Sequence, residues 1–465
     1  MKSNPLFKIC ILITFVSSLV ADDPAIRERL MGAAYLDNQG YYLLQEMTDR
    51  FGGRITGSES NQQSMDFLED ALKKLGIRTH REAFTFPGWI RKNDEAVLLE
   101  PVARPLRAIA LGYVEPHPTF TASVALIGSA KQEEITSELE GKIGLVPANV
   151  RLTNDTIDWL VNERGLKGLL LINRKNGGQL LARTQHRLGN PSPIPVYNVT
   201  EEEGHWLRRL IEREITPRVR LTTRSQTKTI ETANLIATLP GRVEKKIVIG
   251  GHFDSWNLGQ GALDNGVGIV QAYDVARLLK SIHPNNHYTL EFVWFNGEEF
   301  GLFGSYAYME QHKEDKIVAM INMDMVGDPI GINAMGFDTL VPILERFSGK
   351  LNALSFTRRM DNKPWNGSDH IPFILQGIPS ITLYAPFKEE ASKFYHDFAD
   401  TFDKVDKVHL SKSIAVISLL AYELANDQSL EGLRLSEEEV IALLRKAKLE
   451  DSLKQVGRWP FVEPE

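Results

Sequence analysis

The sequence predicts an α/β fold with a mostly parallel central sheet, into which a separate β-rich module is inserted. From residue 235 onward, apolar runs of strand length alternate with helical patterns, which is typical of a parallel sheet covered by helices. Between residues 118 and 226, short apolar runs alternate with polar stretches. No cluster of histidine and carboxylate residues falls in that stretch, so we expect it to contribute no chemistry.

The chain has 465 residues, which is enough for two or more domains with sizeable cores. Its apolar share of 43% and charged share of 24% are ordinary for a soluble globular protein. The formal net charge is −7 and both signs are interspersed, so the composition argues against a nucleic-acid partner.

Residues 1–21 read as a signal peptide. Two lysines accompany a short apolar run at residues 9–20, and Ala21 precedes an acidic pair. This run is too short to span a bilayer, and we expect no membrane span in the mature chain. The protein is therefore expected to be secreted or otherwise exported to an extracellular, periplasmic or lumenal space. Cleavage would remove the only cysteine, Cys10, so the mature chain would fold without disulfides.

The predicted main domain has two parts, at residues 22–117 and 227–430. In the first part, residues 22–90 read as helical because apolar residues recur at helical spacing, with Gly76 as a helix stop. Strands are expected at 96–99 and 108–111 before the insert, at 122–127, 143–147, 168–172, 194–197 and 219–221 within it, and at 235–239, 247–249, 289–295, 318–323 and 378–384 after it. Helices are expected at 267–280 and 305–311. In a tail at 431–465, Ser436 and Glu439 form a capping box that predicts a helix over 437–455.

Five segments carry carboxylates, two of them together with a histidine, and most of the five follow the ends of predicted strands. They are residues 250–255, 261–266, 295–299, 322–324 and 395–401. Ligands of open α/β sheets bind beyond the carboxyl ends of the strands, so these side chains should meet at one edge. Buried carboxylates must be paired or must coordinate a metal, and the pattern therefore predicts a metal centre.

The residue types at this edge suit two zinc ions. His252, Asp264 and Asp324 would hold one ion, while Asp264, Glu299 and His396 would hold the other, with Asp264 bridging. Paired metals about 3.5–4 Å apart activate a water and stabilise the charge that develops when it attacks.

Two further acidic residues have predicted catalytic roles. Glu298 adjoins a ligand without being needed as one, so it would act as general base toward the metal-bridging water. Asp254 would accept a hydrogen bond from the far ring nitrogen of His252 and so fix its tautomer. Each motif alone is common on protein surfaces, and only their order and spacing together make the prediction. Neither a His-Glu-x-x-His motif nor a Gly-x-Ser-x-Gly nucleophile elbow occurs.

At these residues the sequence resembles the co-catalytic dizinc exopeptidase family that includes bacterial leucyl aminopeptidases and carboxypeptidase Q. The resemblance runs from about residue 50 to about residue 425, and it is closest to carboxypeptidase Q at residues 251–256 and 259–262. It implies a zinc-exopeptidase sandwich and the same site assignments. It also implies a cis peptide bond between Asp264 and Asn265.

The insert resembles a protease-associated domain at residues 141–146 and 194–197. The loop at residues 366–370 is more similar to aminopeptidase members of the family. Asp369 and His370 are therefore expected to contact substrate or support the rim, with the alternative that His370 is a packing histidine. The sequence leaves open whether the protein recognises the amino or the carboxyl terminus of a substrate.

The resemblance implies a secreted zinc metallopeptidase that acts at the end of short peptides or dipeptides, with a homodimer left open. Two other functional hypotheses remain open. One is a single-zinc acyltransferase similar to glutaminyl cyclase, whose relatives dispense with part of the second metal site. The other is a non-catalytic, receptor-like relative, against which the presence of all seven site residues argues.

Overall fold

The computed structural model describes residues 24–462 except residues 137, 186, 187, 284, 389 and 390, and the expected signal peptide lies outside these residues. The strands are β1 Arg78–Ile90, β2 Glu95–Glu100, β3 Arg104–Pro105, β4 Ala108–Ala110, β5 His117–Leu126, β6 Ile143–Val146, β7 Gly168–Ile172, β8 Val196–Val199, β9 Arg218–Thr223, β10 Gln226–Leu239, β11 Val243–His252, β12 Tyr288–Phe295, β13 Ile317–Asn322, β14 Gly331–Asn333, β15 Arg358–Asp361 and β16 Ser380–Tyr384. The helices are α1 Pro24–Leu36, α2 Gln39–Phe51, α3 Glu59–Lys74, α4 Asn154–Asn162, α5 Glu201–Glu212, α6 Val267–Ile282, α7 Phe303–Gln311, α8 Val341–Gly349, α9 Ile371–Leu375, α10 Lys407–Asn426, α11 Glu437–Lys446 and α12 Glu450–Gln455.

The central sheet has the order β1-β10-β12-β11-β13-β16-β14-β15. Its middle strands, β12, β11, β13 and β16, run parallel, as expected. The expectation of a mostly parallel sheet fails at the flanks, because β1 pairs antiparallel with β10, β10 pairs antiparallel with β12, and β16 pairs antiparallel with β14. The chain leaves this sheet through β1 and returns through β10 in the opposite direction. Residues 78–90 are therefore a strand, which corrects the helical prediction for residues 22–90.

Helices cover both faces of the central sheet, so its middle strands are apolar on both sides. Ile247 and Ile249 of β11 belong to the core that includes α6 and α10, whereas Val248 faces a second cluster with Tyr308 of α7 and Phe373 of α9. By length and composition alone, α10 is long and apolar enough to cross a membrane. However, 83% of its apolar window is buried within the protein, as in a core helix.

A second sheet has the order β3-β2-β9-β5-β6-β7-β8-β4. Strands β5, β6, β7 and β8 run parallel, and α4 and α5 accompany them, so this part of the chain also has an α/β character. Strands β2, β3 and β4 belong to this sheet although they lie before residue 118. We call the part of the chain from β2 to β9 the second unit.

The tail docks on the main domain. The capping box of Ser436 and Glu439 is confirmed at the start of α11. The helix expected over 437–455 is interrupted near Lys448, whose φ of +59° is left-handed, and α12 follows. The side chain of Asn366 donates a hydrogen bond to Ser452 Oγ at 2.8 Å, which ties the tail to the loop at residues 366–370.

Candidate metal centre

Three neighbouring parallel strands deliver the predicted site to one edge of the central sheet. β11 ends at His252, which lies opposite Phe295, the last residue of β12. Gly250 lies opposite Asn322, the last residue of β13. Glu298, Glu299 and Asp324 follow those two ends directly, so the carboxyl ends of the strands bring them beside His252, as expected.

The structure brings both predicted ligand sets together. His252, Asp264 and Asp324 form one group, and Asp264, Glu299 and His396 form the other; within each group the potential ligand atoms lie within 4.8 Å of one another. Asp264 stands in the middle, since its Oδ1 is 3.1 Å from His252 Nε2 and its Oδ2 is 3.0 Å from His396 Nε2. The two oxygens of one carboxylate therefore face two different imidazoles.

The chemistry of these donors fits zinc. Glu299 Oε2 lies 3.0 Å from His396 Nε2, but the buried Glu299 Oε1 has no hydrogen-bond partner among the described residues. Burial raises the pKa of Glu299 to about 7, with the neighbouring Asp264 charge adding to the rise and His396 opposing it. A buried set of imidazoles and excess carboxylates with an orphaned oxygen is suited to a divalent cation that accepts nitrogen and oxygen ligands.

Both histidines present Nε2 to the centre because Nδ1 is engaged elsewhere. His252 Nδ1 donates to the backbone oxygen of Asp254 at 3.0 Å, and His396 Nδ1 donates to the backbone oxygen of Ala182 at 2.7 Å. A carbonyl accepts only an N–H, so each contact leaves the Nε2 lone pair free to bind a metal.

The contact at Asp254 corrects the predicted one. Its carboxylate was expected to accept from His252, but Asp254 Oδ1 lies 3.9 Å from Nδ1. The chain turns after β11, so the backbone carbonyl faces the ring instead. The carboxylate accepts from the amide N–H groups of Glu298 at 3.2 Å and Glu299 at 3.4 Å. Asp254 thus holds the loop that carries the predicted base and a predicted ligand.

The backbone at Asp264 is held by residues that the sequence did not single out. The peptide bond between Asp264 and Asn265 is cis, as the resemblance implies. Asp400 accepts from the amides of Leu263 at 2.7 Å and Asp264 at 3.1 Å. Burial raises the pKa of Asp400 to about 7. The side chain of Asn265 donates to the carbonyl of Met323 at 2.8 Å, which links this turn to the end of β13.

Arg54 is a further residue for which the sequence predicted no role. Its fully buried guanidinium donates to three backbone carbonyls of the loop between β11 and α6: Phe253 at 3.2 Å, Gln260 at 2.8 Å and Gly261 at 2.8 Å. Burial lowers its pKa to about 10. The five donors of an arginine suit such a task, but nothing in the sequence near Arg54 points to those distant carbonyls.

Glu298 lies beside the two groups. Its carboxylate accepts no hydrogen bond within the described part of the chain, although its own amide is held by Asp254. Burial raises the pKa of Glu298 well above its ordinary value, and a positive charge on His252 opposes this rise. An unpaired carboxylate at this place is free to exchange a proton with a substrate or water.

Asp369 and His370 are buried beneath the centre and do not reach solvent. His370 Nε2 donates to Trp365 O at 2.9 Å, and burial lowers its pKa to about 4, so the ring is neutral. This geometry favours the packing alternative for His370. Burial raises the pKa of Asp369 to about 7. Among the described residues, no donor makes a hydrogen bond of ordinary geometry to either oxygen of Asp369, although the nearby Ser305 hydroxyl lowers the pKa of Asp369.

The chain is similar to two named peptidases over most of its length. Carboxypeptidase Q from Mus musculus is 25% identical over 414 residues, which cover 84% of this chain and 86% of the relative. Aminopeptidase YwaD from Bacillus subtilis is 24% identical over 404 residues, which cover 82% and 84%.

Two solved structures share the fold. A Peptidase M28 precursor from Shewanella amazonensis has a TM-score of 0.76 at 22% identity, covering 87% of this chain and 97% of its own. A zinc aminopeptidase from Bacillus subtilis has a TM-score of 0.68 at 21% identity, covering 86% and 97%. The family model of Peptidase family M28 matches residues 234–421, which include every predicted site residue. The resemblance stated from the sequence is thus confirmed, and residues 234–421 are the part of the chain that is similar to Peptidase family M28.

Proposed function

We propose that this protein is an exported zinc exopeptidase that hydrolyses the terminal peptide bond of short peptides or dipeptides. The observation that carries the proposal is the Asp264 carboxylate, whose two oxygens face His252 Nε2 at 3.1 Å and His396 Nε2 at 3.0 Å. A carboxylate whose two oxygens face two separate sets of potential ligands can bridge two ions, and a centre for one ion does not need this arrangement. The names of the two relatives support the peptidase class.

Two zinc ions, when bound, would supply the Lewis acidity that lowers the pKa of water and polarises the scissile carbonyl. The residues of the chain supply the proton transfers. Glu298 takes a proton from the attacking water, whose oxygen adds to the carbonyl carbon, and returns it to the amine nitrogen as the C–N bond breaks. Asp254 positions Glu298 through the loop amide at 3.2 Å.

The domain organisation belongs to the same proposal. Residues 1–21 act as the signal peptide, residues 22–117 without strands β2 to β4 form the catalytic domain together with residues 227–430, and residues 431–465 form the tail. Residues 118–226 form the body of a protease-associated-like domain, which the strands from β2 to β4 extend. No observation favours the glutaminyl cyclase-like or receptor-like alternative, and the experiment below separates them.

The test is a panel of dipeptides and tripeptides with free, acetylated or amidated ends, assayed with and without a chelator, together with a zinc count per chain. We expect two zinc ions and chelator-sensitive hydrolysis that requires one particular free terminus. Cyclisation of an N-terminal glutamine by a one-zinc protein would favour the acyltransferase. A folded two-zinc protein that cleaves no member of the panel would contradict the proposal.

A further inference from the structure

We propose that the second unit completes the metal centre, because its residues 180–182 are a positioning element that orients His396. This inference rests on the proposed two-zinc centre. It predicts that the ion held by Asp264, Glu299 and His396 depends on how the second unit is docked, while the ion held by His252, Asp264 and Asp324 does not.

The contact between His396 and the second unit is reciprocal. His396 Nδ1 donates to Ala182 O at 2.7 Å, and the amide of Ala182 donates to His396 O at 3.0 Å. Ala182 is fully buried, so water does not compete for its carbonyl. One residue of the second unit therefore holds both the ring and the backbone of a predicted ligand.

The two predicted histidine ligands differ in where their partner comes from. The acceptor for His252 Nδ1 is two residues away, in the same loop. The acceptor for His396 Nδ1 is 214 residues away in sequence. His396 also has a left-handed φ of +57° and lies in no helix or strand, so no regular structure of its own sets the direction of its ring.

The segment at residues 180–182 is held from both sides. From the catalytic domain, Asp397 Oδ2 accepts from the amide of Leu180 at 2.6 Å. From the second sheet, the side chain of Asn198 in β8 accepts from the amide of Leu181 at 2.8 Å and donates to Leu171 O in β7 at 3.1 Å. Three consecutive residues thus connect a strand of the second sheet to His396.

A third contact joins the same two parts of the chain. Lys175 Nζ donates to the carbonyl of Ser392 at 2.7 Å, just before His396. Partners that orient a metal-ligating histidine typically change metal affinity 10–100-fold when they are lost. The docked second unit is therefore a determinant of metal affinity, although it supplies none of the proposed ligands.

The experiment measures the affinity of each ion in the full chain. Zinc is titrated against a chromophoric competitor, and the visible absorption of the Co(II)-loaded protein reports ligand geometry. The variants are Asn198→Ala and Asp397→Ala, which release the segment from opposite sides, and Asp397→Asn, which keeps an acceptor. The matched control is Arg104→Met, which breaks the Arg104–Glu203 ion pair elsewhere in the second unit.

We expect wild type and Arg104→Met to bind two ions with the same affinities. Asn198→Ala and Asp397→Ala should bind one of the two ions about 10–100-fold more weakly, with a changed Co(II) spectrum, while the other ion is unaffected. Asp397→Asn should recover much of the loss. A merely structural defect would weaken both ions together or lower only thermal stability.

Failure of this inference and failure of the proposed two-zinc centre give different results. If wild type binds two ions and both alanine variants bind them equally tightly, this inference is wrong. If wild type binds fewer than two, the proposed two-zinc centre fails instead. If a variant at a buried position misfolds, Lys175→Met removes the exposed contact of this half-buried lysine with Ser392 and gives the same readout. We expect a smaller loss of affinity for the same ion, and an unchanged affinity would contradict the inference.

Discussion

Two groups of buried and partly buried charged residues lie on the central sheet and differ in how their charges are balanced. We call the residues near the start of β11 the strand-start cluster: Lys246, Glu291, Tyr308, His312, Asp315 and Glu82. Lys246 Nζ lies 2.7 Å from Glu291 Oε1 and 2.8 Å from Asp315 Oδ2, and Tyr308 donates to Glu291. His312 contacts the carboxylates of both Asp315 and Glu82. Each acid here has a donor.

At the candidate metal centre, carboxylates exceed their donors. Glu299 Oε1 and both oxygens of Asp369 have no hydrogen-bond partner among the described residues, and burial raises the pKa of both groups to about 7. Buried charges that have partners are compatible with a purely structural role. Buried carboxylates without partners indicate a site that is completed by a bound metal or ligand. The comparison predicts that variants of the metal centre affect chemistry and metal content, while variants of the strand-start cluster affect stability.

The largest effect is expected from Glu298→Gln. This change keeps the shape of the side chain and removes its ability to take a proton. General base catalysis is typically worth about 10²–10⁴-fold, so kcat should fall by at least about 10²-fold. Zinc content and the affinity for a competitive inhibitor should stay unchanged, as measured by metal analysis and steady-state kinetics.

Glu299→Ala is the matched control, because the neighbouring residue is a predicted ligand. It should lose zinc and thermal stability together with activity. If Glu298→Gln itself loses zinc, or if its kcat stays within a few-fold of wild type, Glu298 is not the base.

Much of the site could be predicted because its residues follow strands whose apolar runs are visible in the sequence. His252, Glu298, Glu299 and Asp324 stand at the ends of β11, β12 and β13, and one sheet edge collects them. The order of the parallel strands did not have to be known, since every order brings carboxyl ends to the same edge.

The remaining features of the site and the fold could not be predicted, because no nearby sequence pattern indicates them. A backbone carbonyl such as Ala182 O can be supplied by any residue type, and its partner His396 is distant in sequence. Arg54 and Asp400 likewise hold backbone groups of a loop elsewhere in the chain. The strand β1 was mistaken for helix because its pairing with β10 depends on where the chain returns after the second unit.

The second effect in size concerns the strand-start cluster. Lys246→Met removes the positive charge of the Lys246–Glu291 ion pair, in which both side chains are less than 10% exposed. Breaking a buried ion pair from one side costs about 3–5 kcal/mol, so the free energy of unfolding should fall by that amount in urea denaturation. The kcat of the folded variant and its zinc content should match wild type.

Lys313→Met is the control for this prediction, since Lys313 and Glu310 form an exposed pair at 3.2 Å. Exposed pairs contribute about 0–1 kcal/mol. A Lys246→Met protein that is as stable as the control, or that loses zinc, would remove the distinction between the two groups.

Metal removal should lower the stability of the protein through the metal centre and leave the contribution of the strand-start cluster unchanged. A ligand that binds only the folded state stabilises it by about 2.7 kcal/mol at 100 times its Kd, so chelation should lower the Tm of wild type. Lys246→Met should show the same shift on chelation, because its defect is independent of the metal. A Tm that does not respond to chelator would mean that the unbalanced carboxylates do not bind zinc.

The smallest effect is the pH dependence that His312 gives to the strand-start cluster. Burial disfavours its charge, but hydrogen bonds to Glu82 at 2.8 Å and Asp315 at 2.7 Å outweigh this, so its pKa is raised above 6.5. Lys246 Nζ, 3.3 Å from Nδ1, opposes the rise. A raised pKa stabilises the fold fully below the unfolded value, and this stability is lost as the pH rises through the folded value.

The wild-type Tm, measured with saturating zinc from pH 6 to pH 9, should therefore fall more than that of His312→Gln. We expect a difference on the order of 1–2 °C, because the group is partly open to solvent. His80→Gln is the control, since exposed His80 also contacts Glu82, at 3.2 Å. Because all other titrating groups are common to the proteins, the difference between the curves isolates His312. Curves for wild type and His312→Gln that run parallel over this range would show that folding does not raise the pKa of His312, and that its charge does not stabilise this cluster.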